Sequence, residues 1–171
     1  MRTLIKGAIV ALALLATSPV MAQDWYKQDK EWEAWFKGWE AYRNSDYAAA
    51  VRQWKPLAEQ GDAQSQFELG SMYRDGQGVP QDYREAAKWF QLAAEQGHMG
   101  AQNNLGLMYS LGRGVLQDSV IAHMWSNLAA AQGYIPSSRY AIAKRMTPAA
   151  NEEAQRLARE CLAQSYRNCG R

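Results

Sequence analysis

The chain has 171 residues, with 19 lysines and arginines against 17 aspartates and glutamates, so its formal net charge is +2. This near balance gives no support for a nucleic acid or an anionic membrane surface as the partner. The length fits one domain of ordinary size. Two histidines and two cysteines supply few ligands for a transition-metal site.

Residues 1–22 have the layout of a secretory signal peptide. Arg2 and Lys6 precede an apolar run, Ala8–Ala16, and a small-residue site follows at Ala22. The apolar run is shorter than the roughly 20 residues of a membrane-spanning helix. We therefore expect cleavage after Ala22, a periplasmic chain close to neutral, and no stable membrane insertion after cleavage. A membrane anchor is the alternative interpretation.

Residues 23–60 predict an N-terminal capping pair of helices. The second helix follows Asp46, which lies 36 residues before Asp82 of a later, similar helix. The first helix is rich in tryptophan, and its aromatic side chains recur at helical spacing. Two interpretations stay open for them: they seal the first repeat, or they form a stacking surface for a partner or a sugar. The candidate surface consists of Trp25, Trp32, Trp35 and Trp39.

Residues 61–133 contain an internal repeat. The segments "AEQG", "AAEQG" and "AAQG" end at Gly61, Gly97 and Gly133, so both steps are 36 residues. The two units align without a gap. Their matched pairs include Leu69 with Leu105, Gly70 with Gly106, Tyr73 with Tyr109, Gly76 and Gly78 with Gly112 and Gly114, Asp82 with Asp118, and Trp89 with Trp125.

Each unit predicts two helices joined by a glycine-rich loop. Gly70 in the first helix leaves room for a close helix crossing. Asp82 is a predicted N-cap of the second helix and forms a capping-box-like pair with Glu85. Alanines and aromatic residues then follow at a spacing of three and four, and Gly97 ends the helix. A single pair cannot bury such a stripe, so stacked pairs predict an all-α solenoid.

Residues 134–171 predict C-terminal capping helices. The last helix starts with Thr147 as N-cap and Pro148 in its first turn. An even pair of cysteines in an exported chain predicts a disulfide between Cys161 and Cys169 that tethers the tail. Two free thiols, or a bridge to another molecule, are the alternative.

The patterns A-x-x-x-L-G-x-x-Y, G-x-G-V-x-x-D and A-x-x-W…A-A-x-x-G closely resemble the Sel-one-like repeat, a relative of the tetratricopeptide repeat. Full copies correspond to residues 62–97 and 98–133, and residues 46–61 match the second half of a copy. Leu116 departs from the pattern where the first copy has Pro80.

The resemblance implies a tetratricopeptide-like, right-handed α-solenoid of antiparallel helix pairs that acts as an adaptor for other proteins. Many bacterial members of the family are exported to the cell envelope. A cysteine-rich subgroup is linked to penicillin binding and β-lactam hydrolysis, with a cysteine pair in each repeat. Residues 61–133 contain no cysteine, so that activity is not carried over.

The sequence shows no catalytic, metal or cofactor motif. His98 follows the Gly97 cap and is expected to be a solvated loop residue, and His123 is expected at a packing edge. The glycine loops lack the following lysine and serine or threonine of a phosphate-binding loop. We therefore expect neither an enzyme nor a cofactor.

By analogy with tetratricopeptide proteins, the first helices should line a concave groove. The groove-facing candidates are Phe67, Ser71, Arg74, Asn103, Leu107 and Ser110. Asn103 suits the backbone of an extended peptide, Arg74 a carboxylate, and Phe67 and Leu107 an apolar side chain. The predicted function is non-catalytic binding of an envelope protein or peptide. The alternative is a peptidoglycan-associated enzyme or accessory.

Overall fold

The computed structural model describes residues 19–134, 137–167 and 169, with side chains from residue 30 onward except at 137 and 138. Those residues form α-helices and connecting turns, and no strand occurs among them. The eight helices are α1 Pro19–Arg43, α2 Tyr47–Glu59, α3 Ala63–Asp75, α4 Tyr83–Ala94, α5 Met99–Leu111, α6 Ser119–Ala131, α7 Ser137–Ala143 and α8 Pro148–Ala163.

The helices stack in chain order. Each helix from α1 to α6 packs against the next, and both α7 and α8 pack against α6. This order confirms the predicted α-solenoid, in which α1–α2, α3–α4 and α5–α6 are successive antiparallel pairs. The predicted signal peptide lies outside the described residues except for its last four, which extend α1.

Glycine allows close helix crossing within each matched unit. A Cβ placed on Gly70 would lie 2.7 Å from the ring of Phe90, which is fully buried. In the next unit, a Cβ on Gly106 would lie 2.9 Å from the carbonyl oxygen of Ala122 and 3.0 Å from Oγ of Ser126. Ser126 occupies the position of Phe90 in the first unit and is smaller. The backbone of α6 therefore comes close to Gly106.

Buried glutamines connect successive helix pairs. In the first unit, Nε2 of Gln66 donates to the carbonyl oxygen of Ala58 at 3.0 Å, and Nε2 of Gln96 donates to Oε1 of Gln66 at 2.8 Å. The second unit repeats the arrangement 36 residues later with Gln102, Ala94 and Gln132. Each glutamine amide satisfies a carbonyl of the preceding unit, because a buried polar group without a partner is costly. In the repeated "QG" ending, the glutamine therefore hydrogen-bonds to the buried glutamine, and the glycine allows the turn.

The glycine loops lie on the preceding unit. Gly114 has φ 74°, and a Cβ there would lie 2.1 Å from the carbonyl oxygen of Tyr83, at the start of α4. Gly78 makes the equivalent approach to Tyr47 at the start of α2. Only glycine combines this backbone angle with this proximity. The loops thereby fix how one repeat sits on the previous one.

The predicted caps are present, with one correction. Oδ1 of Asp82 accepts from the backbone N–H groups of Arg84 and Glu85, as expected. The reciprocal half of the capping box is wrong: the N–H of Asp82 donates to the carbonyl oxygen of Tyr73 at 2.9 Å, and the Glu85 carboxylate pairs with Lys88. The carbonyl oxygen of Tyr73 therefore takes the backbone N–H of Asp82 that the Glu85 carboxylate would accept from in a capping box.

The C-terminal helix is held at both ends. Oγ1 of Thr147 accepts from the N–H of Ala150 at 3.2 Å, which confirms the predicted N-cap. Cys161 and Cys169 form the predicted disulfide, and both lie in the main hydrophobic core. The tail between them places Tyr166 next to Gly97, at the turn between the two matched units.

Candidate functional site

An open groove of about 810 Å³ lies between α1 and α3. Both are first helices of their pairs, and Leu57 of α2 and Gln60 at its end complete the lining. Its lining combines indole rings, carboxylates and amides: Glu31, Trp32, Trp35, Trp39, Leu57, Gln60, Asp62, Gln64 and Glu68.

One wall is a row of stacked indoles on α1. The ring centroids of Trp32 and Trp35 are 5.9 Å apart, and those of Trp35 and Trp39 are 6.3 Å apart, with interplanar angles of 18° and 10°. Trp32 is 67% exposed and Trp39 is 38% exposed, whereas Trp35 is half-buried. Nε1 of Trp35 is buried without a hydrogen-bond partner among the described residues. The row therefore exposes aromatic surface to solvent at Trp32 and Trp39.

The row is anchored by Trp54, which is fully buried in α2. Its Nε1 donates to the backbone carbonyl oxygen of Trp35 at 3.2 Å, and its ring lies 6.5 Å from that of Trp35. A Cβ placed on Gly38 would lie 2.3 Å from Nε1 of Trp54. Gly38 and Trp54 thus make the same crossing as Gly70 with a phenyl ring, and this crossing positions the aromatic wall.

The opposite wall is polar and acidic. Glu68 accepts from Nε2 of Gln64 at 2.7 Å, and burial raises the pKa of its carboxyl group above the ordinary value of 4.5, an effect that the Gln64 bond opposes. Asp62 caps α3, where its Oδ1 accepts from the N–H of Ser65 at 2.7 Å. The groove lining includes no lysine or arginine.

The outward face of α3 continues onto α5. Gln64, Glu68 and Ser71 are spaced by four and three residues and share one side of the helix. Their counterparts 36 residues later include Asn104 and Leu107. Leu107 is 39% exposed, so the face becomes apolar toward α5.

Phe67 and Arg74, two predicted groove residues, lie in contacts between units. The Phe67 ring stacks on His98 with centroids 4.5 Å apart. The Arg74 guanidinium donates to both carboxylate oxygens of Asp75, at 2.8 and 2.7 Å, and to Oδ1 of Asn104 at 2.5 Å. Its strongest donors are thus already engaged within the chain.

The other four predicted residues lie at varied depth. Leu107 is exposed, and Ser71, Ser110 and Asn103 are half-buried. Oδ1 of Asn103 is buried and has no hydrogen-bond partner among the described residues. Of the predicted aromatic surface, Trp32, Trp35 and Trp39 come together in the groove. The side chain of Trp25 lies outside what the structure describes.

Both histidines differ from a simple surface role. His98 is not a solvated loop residue: it caps α5 by accepting from the N–H of Ala101 at 3.2 Å, and its Nε2 lies 3.1 Å from Oε1 of Gln64. Burial lowers the pKa of His98. His123 is 4% exposed, and burial together with the charge of Arg139 lowers its pKa. Both histidines have a lowered pKa because they are buried against a neighbouring helix or turn.

Two further findings concern metal ligands and membrane-spanning helices in the described part of the chain. Within residues 19–134, 137–167 and 169, no three or more histidine, cysteine or acidic side chains converge in a way that suits a metal ion. None of the helices there combines the length and apolar character needed to cross a bilayer.

Comparison with known proteins agrees with the repeat geometry. The family model described as the Sel1 repeat matches residues 63–98 and 100–134. The chain carries two Sel1 repeats. A crystal structure of a protective antigen of uropathogenic Escherichia coli with an SLR fold is similar, with a TM-score of 0.74 and 27% identity, over 88% of this chain and 35% of that chain. A Sel1 repeat protein from Oxalobacter formigenes has a TM-score of 0.56 and 34% identity, over 58% of this chain and 41% of that chain.

A curated relative is also similar in sequence. The exopolysaccharide production negative regulator of Rhizobium leguminosarum bv. viciae is 34% identical over 83 residues, which are 46% of this chain and 31% of the regulator. The chain spans about a third of the length of this regulator and of the E. coli antigen. These Sel1-repeat similarities support a helical scaffold of the protein-interaction type.

Sequence reasoning missed the acidic wall of the groove and the glycine that positions its aromatic wall. The segment "KGWEAY" at residues 37–42 contains Gly38 within an otherwise helical pattern, which is a signal for close packing. Glu68 had a weaker signal, since its counterpart in the second unit is Asn104 and the pair shows only that the position is polar.

Proposed function

We propose that this protein is a non-catalytic adaptor of the bacterial cell envelope, which binds a partner protein or peptide on the face formed by its first helices. The observation that carries the proposal is the groove of about 810 Å³ with two exposed indoles on one wall and carboxylates on the other. Aromatic anchors next to polar groups are characteristic of protein-binding hot spots.

The binding face extends from the groove toward α5 through the residues predicted from the sequence. Ser71 lies next to Glu68 on the outward side of α3, and Leu107 extends the face with an exposed apolar side chain. Arg74 holds Asn104 in place and so acts on this face by positioning.

The envelope assignment rests on the N-terminal sequence and on the disulfide. A signal peptide ending at Ala22 delivers the chain to the periplasm, where a bond between Cys161 and Cys169 is stable. The printed role of the R. leguminosarum relative, negative regulation of exopolysaccharide production, is compatible with action through a bound partner.

Site-specific photocrosslinking in intact bacteria tests the proposal. A photoreactive amino acid replaces Trp32 in the groove or, as the control, Tyr140 on α7, because the two side chains are similarly exposed at 67% and 66%. We expect defined crosslinked proteins in the periplasmic fraction from position 32 and none from position 140. Equal yields from both positions, or no crosslinked protein from position 32, would contradict the proposal.

A second candidate is association with peptidoglycan, which the exposure of Trp32 and Trp39 favours because indole faces stack on sugar rings. Sedimentation of the purified protein with isolated sacculi tests it. Co-sedimentation that is lost on Trp32→Ala but retained on Tyr140→Ala supports wall binding, and recovery of the protein in the supernatant contradicts it.

A further inference from the structure

The groove between α1 and α3 has an aromatic wall and an acidic wall. Its volume of about 810 Å³ is within the range of sites for a small ligand or a few residues of peptide. Trp32 and Trp39 are seven residues apart on α1, which corresponds to about 10 Å along the helix axis. An extended peptide covers that distance with about three residues.

Charge decides which peptide fits. The lining contains Asp62 and Glu68 on the α3 side, with no lysine or arginine. A carboxylate in a partly apolar groove loses hydration, and a cation from a partner restores a favourable interaction. The Glu68 carboxyl group already shows this loss, since burial raises its pKa despite the hydrogen bond from Gln64.

The aromatic wall suits the rest of a basic side chain. Lysine and arginine place their methylene groups on apolar surface and their charge over indole faces, and tryptophan is the strongest of the aromatic residues in cation–π contacts. Leu57, which is 6% exposed, is part of the groove lining.

We propose that this groove is a receptor for an extended basic segment of the partner, in which a lysine or arginine packs on the Trp32–Trp35–Trp39 row and its charge faces Glu68 and Asp62. This inference rests on the proposed adaptor function and specifies the chemistry of its partner. A neutral sugar would stack on the indoles, and its hydroxyl groups can donate to a carboxylate or to an amide oxygen alike, so neutralising Glu68 should weaken the binding of a basic peptide far more than that of a neutral sugar.

Selection from a phage-displayed library of random peptides on the purified mature protein tests the charge preference. We expect the selected peptides to be enriched in lysine and arginine next to an apolar residue. The best peptide is then synthesised with its natural sequence and with its basic residues replaced by glutamine, and binding is measured by calorimetry. We expect at least a tenfold loss of affinity on replacement, since loss of a charge-assisted contact costs about 1.4 kcal/mol or more.

Matched variants locate the contact. Glu68→Gln keeps an acceptor for the Gln64 amide and should weaken peptide binding about tenfold, whereas Glu160→Gln on α8 removes an exposed carboxylate elsewhere and should leave it unchanged. Trp32→Ala should abolish binding, and Tyr140→Ala should not. Circular dichroism confirms that each variant retains its helical content.

Each opposing outcome has a defined meaning. Selected peptides without basic residues, no enrichment at all, or full affinity in Glu68→Gln would overturn the basic-segment proposal. If photocrosslinking at position 32 still captures a protein in those cases, the adaptor function stands and only the charge preference fails. Binding of soluble muropeptides that needs Trp32 but not Glu68 would replace the peptide with a sugar ligand.

Discussion

The N-terminal helix pair and the two Sel1 repeats solve the same packing problem with different residues. In the repeats, Gly70 and Gly106 meet Phe90 and Ser126, and buried glutamines connect each unit to the previous one. In the N-terminal pair, Gly38 meets the larger Trp54, and the connection from crossing glycine to its contact is four residues shorter than in the repeats.

The shorter connection means that the N-terminal pair lacks the glycine loop. It also lacks the glutamine relay: Gln60 donates to the carbonyl oxygen of Pro56 in its own helix at 2.9 Å, and the residue four before Gly38, which corresponds to Gln66 before Gly70, is Ala34. This pair uses tryptophans instead, and part of that aromatic surface is exposed. A groove is therefore left open beside the N-terminal pair. In the repeats, the corresponding positions contact the neighbouring repeat.

The largest expected effect comes from the loop that distinguishes the repeats from the N-terminal pair. Gly114→Ala adds a Cβ that would overlap the carbonyl oxygen of Tyr83, so we expect a loss of about 3 kcal/mol or more in the free energy of unfolding. Urea denaturation followed by circular dichroism measures it.

The matched control is Gly133→Ala. Gly133 also has positive φ, 92°, but a Cβ there would meet no atom within 4 Å. Its loss should be limited to the backbone term, about 1 kcal/mol. Equal losses in the two variants would mean that the loop does not rest on α4.

The next effect converts the N-terminal crossing to that of the first repeat. Trp54→Phe places the residue type of position 90 against Gly38, removes the bond from Nε1 to the Trp35 carbonyl oxygen, and leaves a cavity. We expect the free energy of unfolding, measured by thermal denaturation, to fall by about 2 kcal/mol. Trp32→Phe on the exposed side should change stability by less than about 0.5 kcal/mol, and a comparable loss there would show that Trp32 is structural.

A smaller effect tests the glutamine relay. Gln102→Leu removes the donor to the Ala94 carbonyl oxygen and the acceptor for Gln132, and Ala94 keeps its bond from the N–H of Gly97. We expect a loss of about 1 kcal/mol. Gln60→Ala, which removes only an exposed bond, should cost less than about 0.5 kcal/mol. Indistinguishable midpoints of the two variants in urea would argue against a relay.

The fold was predictable because its signals depend on residues close together in the sequence. The site was less predictable because it depends on the direction in which each side chain points. The period of 36 residues, the aspartate and threonine caps and the cysteine pair each depend on neighbours close in the chain, so the helix pairs and the disulfide were accessible from the sequence. The capping box failed because a distant carbonyl, that of Tyr73, takes the N–H that Glu85 was expected to bind.

The direction of each side chain on a first helix depends on how the next pair is rotated against it. Spacing alone predicted that Phe67 and Arg74 face the groove, and it gave no sign that Phe67 also stacks on His98 or that Arg74 also binds Asn104. The acidic wall was hidden for the same reason, since a lone glutamate such as Glu68 gives no local sign of its burial.

The smallest expected effect concerns Glu68. Unlike the other variants, Glu68→Gln should be more stable than the unmodified protein. Because burial raises the pKa of Glu68 in the folded state, the folded protein binds a proton more readily than the unfolded chain, and stability falls as pH rises through the folded-state pKa. Glu68→Gln removes this cost while Gln64 keeps an acceptor. We expect a gain below about 1 kcal/mol at pH 7 that disappears below the ordinary pKa of 4.5. Thermal unfolding at pH 7 and pH 4 measures the difference, and a destabilised variant at pH 7 would show that the ionised carboxylate already has a favourable partner within the chain.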